Sequence, residues 1–297
     1  MKKIFAMLFI VVLGLSLVAC KKGTYEVDGV FTAIEFGDNY GTPMLTWADV
    51  TVKDGEIESI FIDALQASVN EEGVFTWNAK TKKELGYDYR MHDGGRTKTD
   101  EEYKAFLTEN NLLEWFEQAK LIEDEFLANG VGDKIDGITG VTIADGGYTT
   151  VVKKAIENAK NLVFVDFEYN LNYGAPQVVW SEVTVNKKGE VTKVFLDTIQ
   201  STKTVAEEKT SFSWNDKSKK ELGYDYRMHD GGRTKTDEEY KAFLTENDLL
   251  EWFEQAKLVE DFFLANGAKD VDNVSGVTIT TDSYTLVVKR AIAKISK

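Results

Sequence analysis

The 297-residue chain carries 35 Lys+Arg against 50 Asp+Glu, two histidines and one cysteine, which is room for one large domain or two ordinary ones. A single cysteine excludes a disulfide scaffold, thiolate-held iron–sulfur clusters and Cys-x-x-Cys-His haem attachment, so any electron carrier here is organic or a metal held by oxygens. A formal charge of −15 argues against nucleic acid as a partner, because neutralising phosphates needs clustered Lys and Arg.

At the N-terminus Lys2 and Lys3 precede an uncharged run, residues 4–18, which ends in Leu17-Val18-Ala19-Cys20. The run is short for a spanning helix, and small residues before a cysteine resemble the processing site of bacterial lipoproteins. That resemblance implies that residues 1–19 are a signal peptide and that Cys20 becomes a mature N-terminus bearing a diacylglycerol. The protein is then expected to be lipid-anchored in the cell membrane on its extracytoplasmic face, with the bilayer as a partner. The competing reading is a hydrophobic helix in which the only cysteine falls at that point by accident.

Beyond that segment the rare residues come in pairs: Pro43 and Pro176, Met91 and Met228, His92 and His229, and the tryptophan pairs 47/180, 77/214 and 115/252. Residues 82–110 recur unchanged as 219–247. The chain therefore reads as two copies of one unit, 20–160 and 161–297, with no Gly/Ser/Pro-rich linker between them.

Within each unit, strands precede helices. Segments 47–52 and 57–65 are rich in β-branched and aromatic residues, and Lys53-Asp54-Gly55-Glu56 predicts a hairpin turn between them. The second copy has a turn one residue longer, 186–190. Thr99, with Glu102 three residues on, predicts a capping box for a helix running to Leu107. A second helix is expected from Leu112 to Asn129, with Trp115, Phe116, Ala119, Ile122 and Phe126 on one face as core rather than as a flavin platform. The last helix of each copy carries Tyr148, Val151, Val152, Ala155, Ile156 and Ala159, matched by Tyr284, Val287, Val288, Ala291, Ile292 and Ile295.

Just ahead of that last helix stand Asp136-Gly137-Ile138-Thr139-Gly140-Val141-Thr142 and Asp272-Asn273-Val274-Ser275-Gly276-Val277-Thr278. Each is Asp, two residues, a hydroxyl residue, Gly, one residue and Thr. The following helix start has N–H groups without intrahelical partners and is expected to attract phosphate. Gly140 and Gly276 permit close backbone approach, with the Thr142 and Thr278 hydroxyls at the same place.

These residues resemble the FMN-binding domain family, whose pattern is Asp-x-x-Ser/Thr-Gly-Ala-Thr followed one residue later by Ser or Thr. The segments 23–25 and 50–57 look like the opening of such a domain. Val141 and Val277 depart from the family's alanine, and Ala144 stands where a second hydroxyl is usual, while Thr280 keeps it. The resemblance implies an α+β fold of two tandem repeated FMN-binding-type domains, each a small, mainly antiparallel sheet packed with helices. It implies FMN joined by a phosphoester to Thr278 and also to Thr142, installed by a flavin transferase that uses FAD and magnesium. Asp136, Thr139, Gly140, Asp272, Ser275 and Gly276 would then shape the segments that the transferase recognises. The function expected is that of an electron carrier outside the membrane rather than a substrate-specific enzyme, supplied by a membrane donor such as a quinol-linked dehydrogenase. A non-redox surface lipoprotein that binds a ligand or protein is the main alternative, and a reductase with its own substrate is a third.

Loop 86–96 and its copy 223–233 hold candidates for tuning a flavin. Arg96 and Arg233 would pair with its phosphate or its reduced ring, and Tyr87 and Tyr224 would stack on it. Surface ion pairs and core packing are the plainer reading of both. His92 and His229 stand one to a unit, so a histidine-rich metal site is not expected.

Overall fold

The computed structural model describes residues 23–207, 209–269, 271 and 274–296. Among the described residues three antiparallel strands come first: β1 (Gly29–Asp38), β2 (Pro43–Lys53) and β3 (Glu56–Leu65). The β2–β3 turn is where the sequence puts it, with Asp54 at φ 53° and Gly55 at φ 76°, the two positive values that a tight hairpin requires. A small ribbon follows, β4 (Ala67–Val69) with β5 (Phe75–Trp77), and then α1 (Lys82–Leu85), α2 (Asp100–Glu109), α3 (Trp115–Asn129) and α4 (Tyr148–Asn161). The second half repeats the order. Strands β6 (Val163–Asn172), β7 (Ala175–Val185), β8 (Val191–Ala206) and β9 (Lys209–Trp214) form one antiparallel sheet. Helices α5 (Lys219–Leu222), α6 (Asp237–Glu246), α7 (Trp252–Asn266) and α8 (Asp282–Ala293) complete it. A sheet-and-helix assembly is thus present in each half.

Both capping boxes of α2 and α6 form as expected, Thr99 with Glu102 and Thr236 with Glu239. Helix α3 starts at Trp115, three residues later than periodicity suggests. Asn111 adopts φ 52° and Leu112 N–H turns back to the Leu107 carbonyl at 2.9 Å, so Leu112 closes α2 instead of opening α3. Likewise α8 ends before Ile295, which bridges to Gly29 on β1.

Alternation along the strands sorts two kinds of core. Ala48, Val50, Ile60 and Ile62 turn toward α3 and α4, where Trp115, Ala119, Ile122 and Val152 are buried. Leu45 and Leu65 turn the other way, into a cluster with Val178 and Ile199 of the other sheet. This shared layer is closed by reciprocal bonds: Trp77 Nε1 donates to the Asn170 carbonyl at 3.3 Å and Trp214 Nε1 to the Gly37 carbonyl at 3.0 Å. The stacked Trp77 and Trp214 rings, 6.2 Å apart, lie between them. Such isologous pairing is the geometry of a dimer interface, here built within one chain.

The expected lipid-anchored location at the cell membrane is corrected by the fold. The apolar faces of the helices are spent on the sheets, and among the described residues no helix is long and apolar enough to cross a membrane. Residues 1–19 and Cys20 lie outside the described residues, as does Asp272.

Candidate functional site

Gln118 on α3 and Gln255 on α7 organise the two threonine segments. Each lies on the buried face of its helix, 1% exposed, next to Ala119 or Ala256. The Gln118 side-chain carbonyl accepts from Thr142 N–H at 2.7 Å, Ile143 N–H at 3.0 Å and the Thr142 hydroxyl at 3.3 Å. Gln255 repeats this with Thr278 N–H at 2.7 Å, Ile279 N–H at 3.1 Å and the Thr278 hydroxyl at 3.2 Å. Three donors on one atom fix the amide orientation, since its NH2 cannot accept. That NH2 donates to the Leu113 carbonyl, or in the second half the Leu250 carbonyl, at 2.9 Å.

The same two carbonyls accept from His92 Nε2 and His229 Nε2 at 3.0 Å, which places the ring proton on Nε2. Each histidine therefore ties loop 86–96, or its copy, to the start of α3 or α7. Beside it, Glu114 is fully buried and caps α3. Its carboxylate accepts from Met91 N–H at 3.3 Å, Trp115 N–H at 2.8 Å and the Tyr103 hydroxyl. Burial first, and then Glu114, push the Tyr103 phenol up.

Gly140 and Gly276 sit at φ 88° and 84°. A Cβ on Gly140 would also stand 3.0 Å from Leu121 Cδ1, and one on Gly276 3.2 Å from Leu250 Cδ1. Both glycines serve a left-handed turn laid over leucines. Val141 and Val277, the departures from the family pattern, pack against the hydrophobic cores, which is why a branched side chain is accommodated there.

The backbone is held while the side chain of each threonine faces out: Thr142 and Thr278 are exposed, as are Thr139 and Ser275. Asp136 is exposed and pairs with Lys134 at 3.1 Å. A cavity of about 660 Å³ opens beside it, with Asp124, Glu125, Lys134, Asp136 and Thr139 in its wall. Three carboxylates against one lysine disfavour a phosphate there. Thr142 and Ile143 N–H are committed to Gln118, and α4 begins only at Tyr148.

Among the loop candidates, Tyr87 donates to Glu117 at 3.1 Å and sets its ring edge-on to Phe116 at 5.0 Å. Arg96 bonds Asp93 at 3.0 Å and lies on the surface. Neither is brought to Thr142. Sequence reading missed Gln118, Gln255, Glu114 and Glu251. The available signal was a polar side chain inside an apolar helical stripe, Trp115, Gln118, Ala119, Ile122, which no solvent-facing register explains.

With this geometry described, comparison with protein families matches residues 174–293 to the FMN-binding domain. An FMN-binding domain is present in the second half. The match takes in β7 through α8, including Gln255, Gly276 and Thr278. Comparison with curated proteins and with solved structures returned no match.

Proposed function

We propose that the chain is an electron-carrying flavoprotein with FMN esterified to Thr278 and, at the equivalent position of the first half, to Thr142. The observation that carries this reading is the exposed threonine hydroxyl on a backbone clamped by a buried glutamine, inside a stretch matched to the FMN-binding domain. Its recurrence at Thr142 supports 20–160 and 161–297 as two FMN-binding-type domains.

Attachment from FAD balances without an oxidant. The threonine oxygen forms a bond to the FMN phosphorus, the pyrophosphate P–O bond breaks, and AMP leaves with its electron pair. The hydroxyl proton must pass to the transferase or to water, because Gln255 is an amide and holds the hydroxyl without acting as its base. Once bound, FMN supplies one- and two-electron redox chemistry, while the protein supplies placement and electrostatics. A covalent tether keeps the ring beside its pocket whatever the free flavin concentration. The electron source proposed is a dehydrogenase of the quinol-linked kind.

The test is co-expression of the chain with a flavin transferase, followed by intact-protein mass and visible absorbance after denaturation. Two FMN adducts are expected. A colourless chain of unmodified mass rejects the reading in favour of a non-redox binding protein.

A further inference from the structure

The first hairpin of each half carries at its tip a tyrosine that the fold does not use. Strands β1 and β2 are joined by the two-residue turn Tyr40-Gly41, closed by Asn39 N–H to the Thr42 carbonyl at 2.8 Å and Thr42 N–H to the Asn39 carbonyl at 3.2 Å. Strands β6 and β7 repeat it with Tyr173-Gly174, where Asn172 faces Ala175 across the ladder. Tyr40 and Tyr173 take φ 53° and 49°, and the two glycines 82° and 80°. Both central residues of such a turn need positive φ, which suits Asn, Asp or Gly, and a bulky side chain there is strained. Packing does not offset the strain, since Tyr40 is 99% and Tyr173 102% exposed. Strain that nothing in the fold compensates points to a function outside it.

Each tip lies just beyond the strand residues that receive the threonine segment. In the first half the Gly146 carbonyl accepts from the Thr46 hydroxyl at 3.2 Å, and a Cβ on Gly147 would stand 3.3 Å from Glu35 Cγ. Glu35 and Thr46 face each other on β1 and β2, four residues short of Asn39 and Thr42. In the second half Asn170, three residues before Tyr173, donates through Nδ2 to Ser283 Oγ at the start of α8, at 3.4 Å. With about 3.4 Å per residue, the tips stand roughly 10–14 Å past those contacts. That span suits a phosphate and ribityl chain rather than the threonine side chains themselves.

Electrostatics place the tips on the same side. Burial pushes the Tyr89 phenol up, with Tyr40 adding to it, and Tyr226 is raised likewise, with Tyr173 adding. Tyr89 packs on the same core as Val141 and Ile143, which flank Thr142, and Tyr226 on the same core as Val277 and Ile279, which flank Thr278. Beside Tyr40 a cavity of about 420 Å³ opens, with Thr42, Val69, Asn70 and Thr210 in its wall.

Resting on the covalent-flavin reading, we propose that Tyr40 and Tyr173 are the stacking faces for isoalloxazine rings tethered at Thr142 and Thr278. An aromatic ring with no protein neighbour has a face free for a flat partner. The turn holds it clear of the sheet, so a ring arriving on its tether meets a face already in place. Asparagine would close the same turn with less strain and offer no such face.

The test uses the full chain carrying Thr142→Ala, loaded at Thr278 by co-expression with a flavin transferase. A phenol stacked on an excited flavin gives it an electron and takes it back, which quenches emission. Flavin incorporation by intact mass is expected to be the same in Tyr173→Leu as in the parent. Emission per flavin should rise by about 2- to 10-fold, the change in stacked population that one aromatic pair supports. Tyr173→Trp, which also stacks and donates, should stay dark, and Tyr40→Leu should change nothing. In the flavin-free chain Tyr173→Asn should raise the denaturant midpoint by relieving the turn. Unchanged emission in a flavin-bearing Tyr173→Leu, or a lowered midpoint in Tyr173→Asn, overturns this inference alone. A chain that takes no flavin overturns the reading on which it rests as well.

Discussion

Thr142 is followed by Ile143-Ala144-Asp145-Gly146-Gly147 before α4 begins at Tyr148, whereas Thr278 is followed by Ile279-Thr280-Thr281 before α8 begins at Asp282. In the first half Gly147 takes φ 91° and the Gly146 carbonyl accepts from the Thr46 hydroxyl at 3.2 Å. In the second, Thr285 N–H already bonds the Thr281 carbonyl at 2.8 Å. The tyrosine that follows keeps its tryptophan partner and gains one more in the second half. Tyr148 accepts from Trp115 Nε1 at 3.0 Å, while Tyr284, which also hydrogen-bonds Trp252, meets the Thr198 hydroxyl at 2.9 Å, a residue replaced by Ala64 in the first half. Through all of this the glutamine clamp and the left-handed glycine are unchanged. The threonine is therefore positioned by the helix behind it, α3 or α7, and not by the helix that follows.

The largest expected effect breaks the equivalence outright. Thr278→Ala and Thr142→Ala should each remove one flavin from the intact mass, and loss of both from either substitution would contradict independent sites.

Next come Gln118→Ala and Gln255→Ala, each depriving two backbone N–H groups and a hydroxyl of their acceptor. Each is expected to cost about 1–3 kcal/mol in denaturant unfolding and to lower flavin incorporation at its own threonine only. An equal fall at both sites would show that the halves do not act separately.

Lys82→Met and Lys219→Met probe, through pH, two lysines whose ammonium groups lie 4.9–5.3 Å from the ring centres of Tyr89 and Trp115 or Tyr226 and Trp252. A lysine whose folded pKa is about 8 binds fewer protons folded than unfolded between there and its ordinary value, so its burial penalty is present in full below pH 8 and fades as pH rises. In the flavin-free protein each substitution should therefore stabilise at pH 7, by about 1–2 kcal/mol, with the gain disappearing above about pH 10.5. A gain that persists at high pH would assign the effect to packing.

The smallest effect belongs to the residue two beyond the threonine. Ala144 and Thr280 are both exposed, so Ala144→Thr and Thr280→Ala should each change stability by less than about 0.5 kcal/mol. Neither is expected to alter flavin incorporation, read by intact mass.

Much of the local structure was legible because it is fixed by short-range rules. Asp54-Gly55 announces its turn through positive φ, and Thr99 with Glu102 announces its helix by capping donors that would otherwise lack partners. The late start of α3 was not legible: residues 112–114 have the apolar spacing of a helix, but Leu112 is bonded back to α2. Gln118 and Lys82 were equally hidden. In sequence each is an ordinary polar residue, and its burial depends on which strands and loops are folded over it.

The order of residues alone determined the duplication, the turns, the caps and the presence of a Gly-x-Thr segment before each final helix, since each depends on neighbours a few positions away. Only the tertiary structure decided that Gln118 and Gln255 hold those segments, that Lys82 and Lys219 lie over aromatic rings, and that Trp77 and Trp214 bond across to the opposite sheet. Those contacts join residues far apart in the chain, and a side chain's hydrogen-bond partners and hydration are set by what packs against it rather than by what precedes it.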